Sequence, residues 1–261
     1  MSDQIEVATV ERIGEHVVLV TLQRPDARNA INAAITARMR EIVRETEADA
    51  SIWAVVLTGA GGKAFCAGAD LKEVSEGRIS ELIDPEAGFA SFVHARRSKL
   101  WIAAVNGFAM AGGCEILLDC DMIIASDDAQ FALPEVRRGL IAAAGGLFRL
   151  PRRIPSAIAF EMIATGDPIT AERALALGLV NRVVAKDDTV AAALSLAERI
   201  CQNAPIAVRE SLGVARRALD ETEEVLDRLS NEAQERVMLT DDFAEGPKAF
   251  VEKRPPNWVG R

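Results

Sequence analysis

The stretch "AAVNGFAMAGGCEILLDCDMIIAS" (Ala103–Ser126) decides the fold. Its start continues the apolar run "IAAVNG", which reads as a strand, and its end, "DMIIAS", reads as another. Between them, "AMAGGCEILLDCD" reads as a buried helix entered through a glycine pair. Strand, glycine turn, helix and strand in succession predict parallel pairing, because the helix carries the chain back to the same sheet edge. One residue does not fit a purely packing role. A helix that only filled a core would carry Leu or Ala where Glu115 stands, and "FALPE" sets a second carboxylate, Glu135, twenty residues further on.

The same grammar extends outward. "IEVATVERIGEHVVLVTLQRP" reads as two strands joined at Gly14 and closed by Pro25. Ile31, Ile35, Met39 and Ile42 recur at helical spacing, with Arg38, Arg40, Glu41, Arg44 and Glu45 on the other face. "WAVVLTG" is a buried strand, and a helix is expected near "FASFVHARRSKL". The alternation predicts an α/β body of stacked ββα or βα units around mainly parallel strands. From about residue 145 the chain turns helical, with breaks expected at Pro151 and Pro155. "TAERALALG" is a helix with Thr170 as N-cap and Gly178 just past its end, and "LVNRVV" is a further strand. Thr189 to about Val251 reads as nearly all helix, with one stripe at Val190, Leu194, Ala197 and Cys201 and another at Leu226, Leu229, Ala233 and Val237. Such a tail packs on the body or on a neighbouring subunit.

Composition narrows the function classes. The 261 residues allow one large domain or a domain with an appendage, and 49% apolar with 26% charged residues fits a soluble globular protein. A net charge of −9 makes nucleic acid and anionic membrane poor partners. "MSDQIEVATVERIG" has neither the basic nor the apolar region of a signal peptide, and no apolar run approaches the ~20 residues of a membrane span. Cys66, Cys114, Cys120 and Cys201 form no CxxC, and His16 and His94 are the only histidines. Neither a disulfide framework nor a zinc site is expected, and the thiols read as buried groups in a reducing cytosol.

Two familiar motifs fail. Gly59, Gly61 and Ala64 match G-x-G-x-x-A, but "FCAGAD" intervenes before any helix, so no dinucleotide turn forms. Lys63 is followed by Ala64, which excludes a P-loop. No G-x-S-x-G occurs, and His16 in a strand and His94 beside Arg96 offer no placed base for a hydrolase. Two small-residue turns remain, "CAGAD" and "AMAGGCE". They are either tight turns only, or the places where two backbone N–H groups converge on one developing oxyanion. Glu115 and Glu135 are likewise either ordinary acids near helix starts or a pair with shifted proton affinity that holds one water.

Five segments in order and spacing, "RPDARNAIN", "GAGGKAFCAGADLKEV", the opening stretch, "FALPEVRRGLI" and "AFVEKRPP", make the chain resemble the crotonase family, also called the enoyl-CoA hydratase/isomerase family. The likeness runs over practically the whole chain. It implies a crotonase-like spiral of ββα units over residues 1–190, holding the CoA groove and active site. Residues 191–261 would then form a helical oligomerisation region that builds homotrimers or dimers of trimers. By position, the N–H groups of Ala69 and Gly112 would form the oxyanion hole, and Glu115 and Glu135 would match both acids of the hydratases. Ala27, Arg28, Ala67, Asp70, Leu71 and Lys72 match segments lining the CoA groove, and Phe250 and Lys253 match tail positions that reach CoA, often from a neighbouring subunit. The resemblance implies an acyl-CoA thioester substrate, no metal or other cofactor, and a cytoplasmic enzyme that adds water to 2-enoyl-CoA or removes it from 3-hydroxyacyl-CoA. An isomerase commonly keeps one of the two acids, and a non-catalytic acyl-CoA-binding member would need neither. "GGLFRLPRRIP" and the C-terminal segment are similar to the carnitinyl-CoA dehydratase branch. Ala143 departs from the family's common glycine in the loop "IAAAGG", with an expected effect on the water site, and Ala111 is a milder departure.

Overall fold

The computed structural model describes residues 6–261; the start of the first predicted strand, at Ile5, lies outside them. Strands β1 (Ala8–Ile13) and β2 (Val17–Leu22) form the expected antiparallel hairpin, turning at Gly14 with φ +61°. Helix α1 (Ala33–Ala48) starts on Asn32, whose side chain accepts the Ile35 N–H, and buries Ile35, Met39 and Ile42. The pattern then repeats. Strand β3 (Ala54–Gly59) is followed by β4 (Ala64–Cys66) and α2 (Leu71–Ser75). After a small hairpin of β5 (Ile83–Asp84) and β6 (Gly88–Phe89), β7 (Leu100–Val105) leads to β8 (Phe108–Met110) and α3 (Gly112–Leu118). Strand β9 (Met122–Ser126) leads to β10 (Gln130–Ala132) and a short 3-10 turn, Pro134–Arg138.

Each repeat after the first thus gives one strand to each of two sheets, while β1 and β2 both join the first. The first sheet has the order β1-β2-β3-β7-β9 and ends on β12 (Arg182–Val184); all its pairs beyond the β1–β2 hairpin are parallel. The second runs β4-β8-β10 in parallel and ends on antiparallel β11 (Ile169–Thr170). These repeats are the predicted ββα spiral. Helices α4 (Gly146–Arg153), α5 (Ser156–Thr165) and α6 (Ala171–Ala176) close the body. Thr170 caps α6 through the Arg173 N–H, as its place in the sequence requires.

The period-2 alternation of β3 puts its side chains into two different cores. Val55 and Leu57 join the main core with Ile31, Phe65, Trp101 and Leu117. Ala54 and Val56 face the other way and meet α7 (Thr189–Cys201) through Ala193, Leu196 and Ala197. The buried stripe of α7 therefore centres on those three residues, with Val190 and Cys201 only half-buried. Helices α8 (Pro205–Ala215), α9 (Glu223–Met238) and α10 (Asp241–Glu252) follow. Arg236 ties α9 to Glu210 of α8 at 2.6 Å, and the tail returns from α10 so that Trp258 donates to the Gln202 carbonyl at 2.7 Å.

Two local expectations are corrected. No helix forms over 89–100. Ala90 and Ser91 adopt φ of +58° and +51°, which ends any helical run, and the segment is instead anchored by buried Phe92 and Val93. The Arg97 guanidinium stacks 3.7 Å from the Phe92 ring centre. Its charged spacing imitates an amphipathic helix because both patterns put arginines beside apolar anchors. Pro151 also lies inside α4 rather than breaking it, and the break falls at Pro155. The carbonyl that Pro151 cannot serve is that of Leu147, an exposed residue at the solvent side of the helix.

Candidate active site

Strands β4 and β8 are parallel neighbours, with Cys66 paired to Ala109. Their carboxyl ends therefore lie at one edge, and the turns that follow, Ala67–Asp70 and Ala111–Gly113, leave it side by side. Contact is direct: a Cβ added to Gly68 would lie 2.9 Å from the Gly112 nitrogen and 3.0 Å from the Met110 carbonyl. Gly113 sits against the Cys66 backbone and Gly112 against the Phe89 ring so closely that neither has room for a side chain. The glycine pair is thus required by packing as well as by any ligand.

The N–H groups of the two turns differ in origin. Ile31 bridges Ala69 as a parallel partner, its N–H donating to the Gly68 carbonyl and its carbonyl accepting from Asp70, each at 2.8 Å. A parallel ladder that uses residues 68 and 70 turns the Ala69 N–H away from Ile31. Gly112 is the first residue of α3, where N–H groups have no intrahelical acceptor. The residue before it, Ala111, takes φ +51° and ψ −128°, a strained conformation for any residue with a side chain.

Glu115 is the fourth residue of α3 and only 3% exposed. Its Oε1 accepts the Gly146 N–H at 2.9 Å. Burial raises its proton affinity, the Gly146 bond opposes this, and the charge of Glu135 adds to the rise, leaving the carboxyl at about 7. Glu135, in the Pro134–Arg138 turn, is 9% exposed, and its Oε2 is buried without a hydrogen-bond partner. Burial raises its proton affinity too. A carboxylate that merely served a helix dipole would sit in water; these two do not, and the Glu135 charge is felt at Glu115.

The groove candidates fall into one cluster and one outlier pair. Ala67 donates to the Arg28 carbonyl at 3.0 Å, which joins the Ala27–Arg28 turn to the Ala67–Lys72 segment. Asp70 caps α2 through the Lys72 N–H at 3.1 Å and pairs with Arg24 at 3.0 Å, so its carboxylate is engaged in holding the turn. Leu71 is 51% exposed, and Lys72 is exposed beside it. Phe250 and Lys253 are not in this cluster; they end α10, which packs on α9, and Phe250 is 85% exposed.

Ala143 and Ala111 differ in backbone strain. Ala143 is exposed, has no positive φ, and its N–H donates to the Ile141 carbonyl at 2.9 Å. No glycine is demanded there, whereas Ala111 carries the strain. Sequence reading passed over Phe89, whose ring walls Gly112, because its segment imitated a helix. It also passed over Gly146, which holds Glu115; the glycine pair at 145–146 opening a helix was the available signal.

The buried thiols Cys66 and Cys120 are pushed up to about 12 by burial, and Cys114 is raised further by the neighbouring acids. None is poised as a nucleophile. Among the described residues, no three His, Cys, Asp or Glu side chains gather as metal ligands, and no helix is long and apolar enough to cross a membrane.

The family model described as enoyl-CoA hydratase/isomerase matches residues 12–261. A carnitinyl-CoA dehydratase of Proteus mirabilis is 40% identical over 250 residues, covering 94% of this chain and 95% of that protein. A mevalonyl-coenzyme A hydratase of Aspergillus fumigatus is 38% identical over 249 residues, 93% and 91% of the two chains. The crystal structure of an enoyl-CoA hydratase from Mycobacterium tuberculosis superposes with a TM-score of 0.93 at 38% identity, covering 98% of this chain and 100% of that one. The chain belongs to the enoyl-CoA hydratase/isomerase family.

Proposed function

We propose that this enzyme is a hydratase-type lyase that adds water across the double bond of a 2-enoyl-CoA, or removes it from a 3-hydroxyacyl-CoA. The observation that carries the proposal is the pair of buried, high-affinity carboxylates, Glu115 and Glu135, beside the two backbone turns. The thioester oxygen sits between the N–H groups of Ala69 and Gly112. As water approaches C3, the Glu115 carboxylate takes one of its protons and the C3–O bond forms. The π electrons move toward the thioester oxygen, where the two N–H groups stabilise the enolate; losing one such donor costs about 3 kcal/mol of barrier. Protonated Glu135 then delivers its proton to C2, and solvent exchange resets the acids. Elimination is the same path reversed. Thioester acidity and fixed backbone dipoles supply the chemistry, so no cofactor beyond the substrate's own CoA is required.

The CoA moiety runs over Ala27, Arg28, Ala67, Asp70, Leu71 and Lys72. Phe250 and Lys253 close over it from a neighbouring copy in a trimer or a dimer of trimers built by residues 191–261, with residues 1–190 as the catalytic core. The setting is cytoplasmic acyl-CoA metabolism, including fatty-acid substrates. Relatives with carnitinyl and mevalonyl names stand at 40% and 38% identity, so both kinds of acyl group belong in the substrate panel.

Crotonyl-CoA is the first test, followed by loss of the conjugated enoyl absorbance. Glu115→Gln and Glu135→Gln each lower kcat at least about a hundredfold while CoA-ester binding survives. Wild-type turnover in either variant removes that residue's role. Incorporation of label from heavy-oxygen water identifies hydration; its absence alongside double-bond migration identifies isomerisation.

A further inference from the structure

The acid-bearing helix has a second charged neighbourhood at its other end. Where α3 finishes, at Asp119, a hollow of about 440 Å³ opens, a size that suits a small ligand. It lies apart from the two turns and from Glu115 and Glu135, none of which lines it. On a chain of net charge −9, its wall carries five arginines, Arg97, Arg149, Arg152, Arg153 and Arg216, against three aspartates. Lys99 also borders it, but the Lys99 ammonium is turned to the Thr46 and Asp49 carbonyls.

The pairing does not balance. Asp119 is shared by Arg97 and Arg149, Asp121 is taken by Arg216 at 2.7 Å, and Asp220 by Arg152 at 2.5 Å. Arg153 donates to the Cys120 carbonyl at 2.5 Å and makes no carboxylate pair among the described residues. The excess is therefore two positive charges in a half-enclosed wall. Arg97 is nine-tenths buried, and its Nε and Nη1 have no acceptor. The field is felt nearby: burial and the Arg149 charge lower the proton affinity of His94 at the rim. Part of the mouth is apolar, formed by Phe148 and the 70%-exposed Leu219, with the Arg149 guanidinium 5.1 Å from the Phe148 ring centre.

We infer that this hollow is a second binding site, for a small molecule carrying a phosphate group, whose dianion meets the unmatched guanidinium charge. Planar N–H forks suit phosphate oxygens, and a phosphate anion of two or more charges answers the excess of two where a single carboxylate would leave one charge over. Arg152, exposed beside Asp220, and Arg153, which has no carboxylate partner among the described residues, are the members that an incoming anion reaches; Arg97 and Arg149 hold the wall.

The test is calorimetric titration of inorganic pyrophosphate into the full-length protein, with saturating butyryl-CoA present so that the thioester groove is occupied. One pyrophosphate per chain is expected. The double variant Arg152→Gln/Arg153→Gln weakens binding at least tenfold, while Arg137→Gln, which removes one charge from the exposed pair with Asp167, leaves it unchanged. If the double variant fails to melt cooperatively, Arg152→Gln alone carries the test with about a threefold loss. Absence of binding to the wild type, unchanged affinity in the arginine variants, an equal loss in Arg137→Gln, or tighter binding of citrate than of pyrophosphate overturns the assignment.

Discussion

Glu115 titrates at about 7 in the folded protein, against 4.5 for an unperturbed carboxyl. Two consequences follow with opposite signs for stability and for activity. If Glu115 is the proposed base, it must be ionised to accept a proton, so kcat/KM for crotonyl-CoA falls about tenfold per pH unit below an apparent midpoint near 7. A flat profile down to pH 5 would refute the assignment. Stability runs the other way. The folded state binds this proton more tightly than the unfolded chain does, so the stabilisation is full below about 4.5 and is lost as pH rises through about 7. Glu115→Gln removes that loss, and the variant is expected to be more stable than wild type at pH 8 by about 3 kcal/mol in urea denaturation. At pH 4 the difference should vanish. This pair of acids was legible in the sequence because "GGCEILL" leaves a charge with no surface to occupy. That Gly146 holds one of them was not, since the glycine pair at 145–146 marks a helix start but names no partner thirty-one residues away.

At the scale of the element, the parallel units were readable because apolar runs, glycine turns and helices recur in order, and each cue is local. The segment at 89–100 was not readable as a loop, because its irregular path depends on Phe92, Val93 and Arg97 meeting partners elsewhere in the chain. The entry to α3 shows a second limit. Ala111 reads as a mild replacement for glycine, yet its φ of +51° makes it the strained residue of the turn. Ala111→Gly is expected to relieve about 1 kcal/mol net, after the larger entropy of glycine in the unfolded chain is counted. Thermal denaturation should register a Tm about 2–4 °C higher. A lower Tm would mean that the Ala111 methyl, packed beside Gly68, contributes more than its backbone costs.

For the whole molecule, the exposed end of α10 is the feature a single copy leaves unexplained. Phe250 and Val251 are 85% and 78% exposed, and neither reaches the groove cluster of its own chain. If a neighbour's groove receives them, Phe250→Ala and Lys253→Ala raise KM for the CoA thioester several-fold with kcat little changed, in a protein that sediments as a trimer or larger. A fully active monomer with unaltered KM in both variants would sink that assembly. The sequence shows this tail as helical but not its partner surface, because an interface needs two faces and only one is written in any local pattern.

The turns that carry Ala69 and Gly112, whose N–H groups are the proposed grip on the thioester oxygen, leave adjoining strands of one ladder. That strand pairing, at the ordinary spacing of about 4.8 Å, sets how the two turns meet. No rotamer change or surface replacement alters that gauge. If the proposed clamp is right, selection can rebuild the walls that meet the acyl group, residue by residue, without readjusting it, and relatives named for dissimilar thioesters are the natural outcome of such a scaffold.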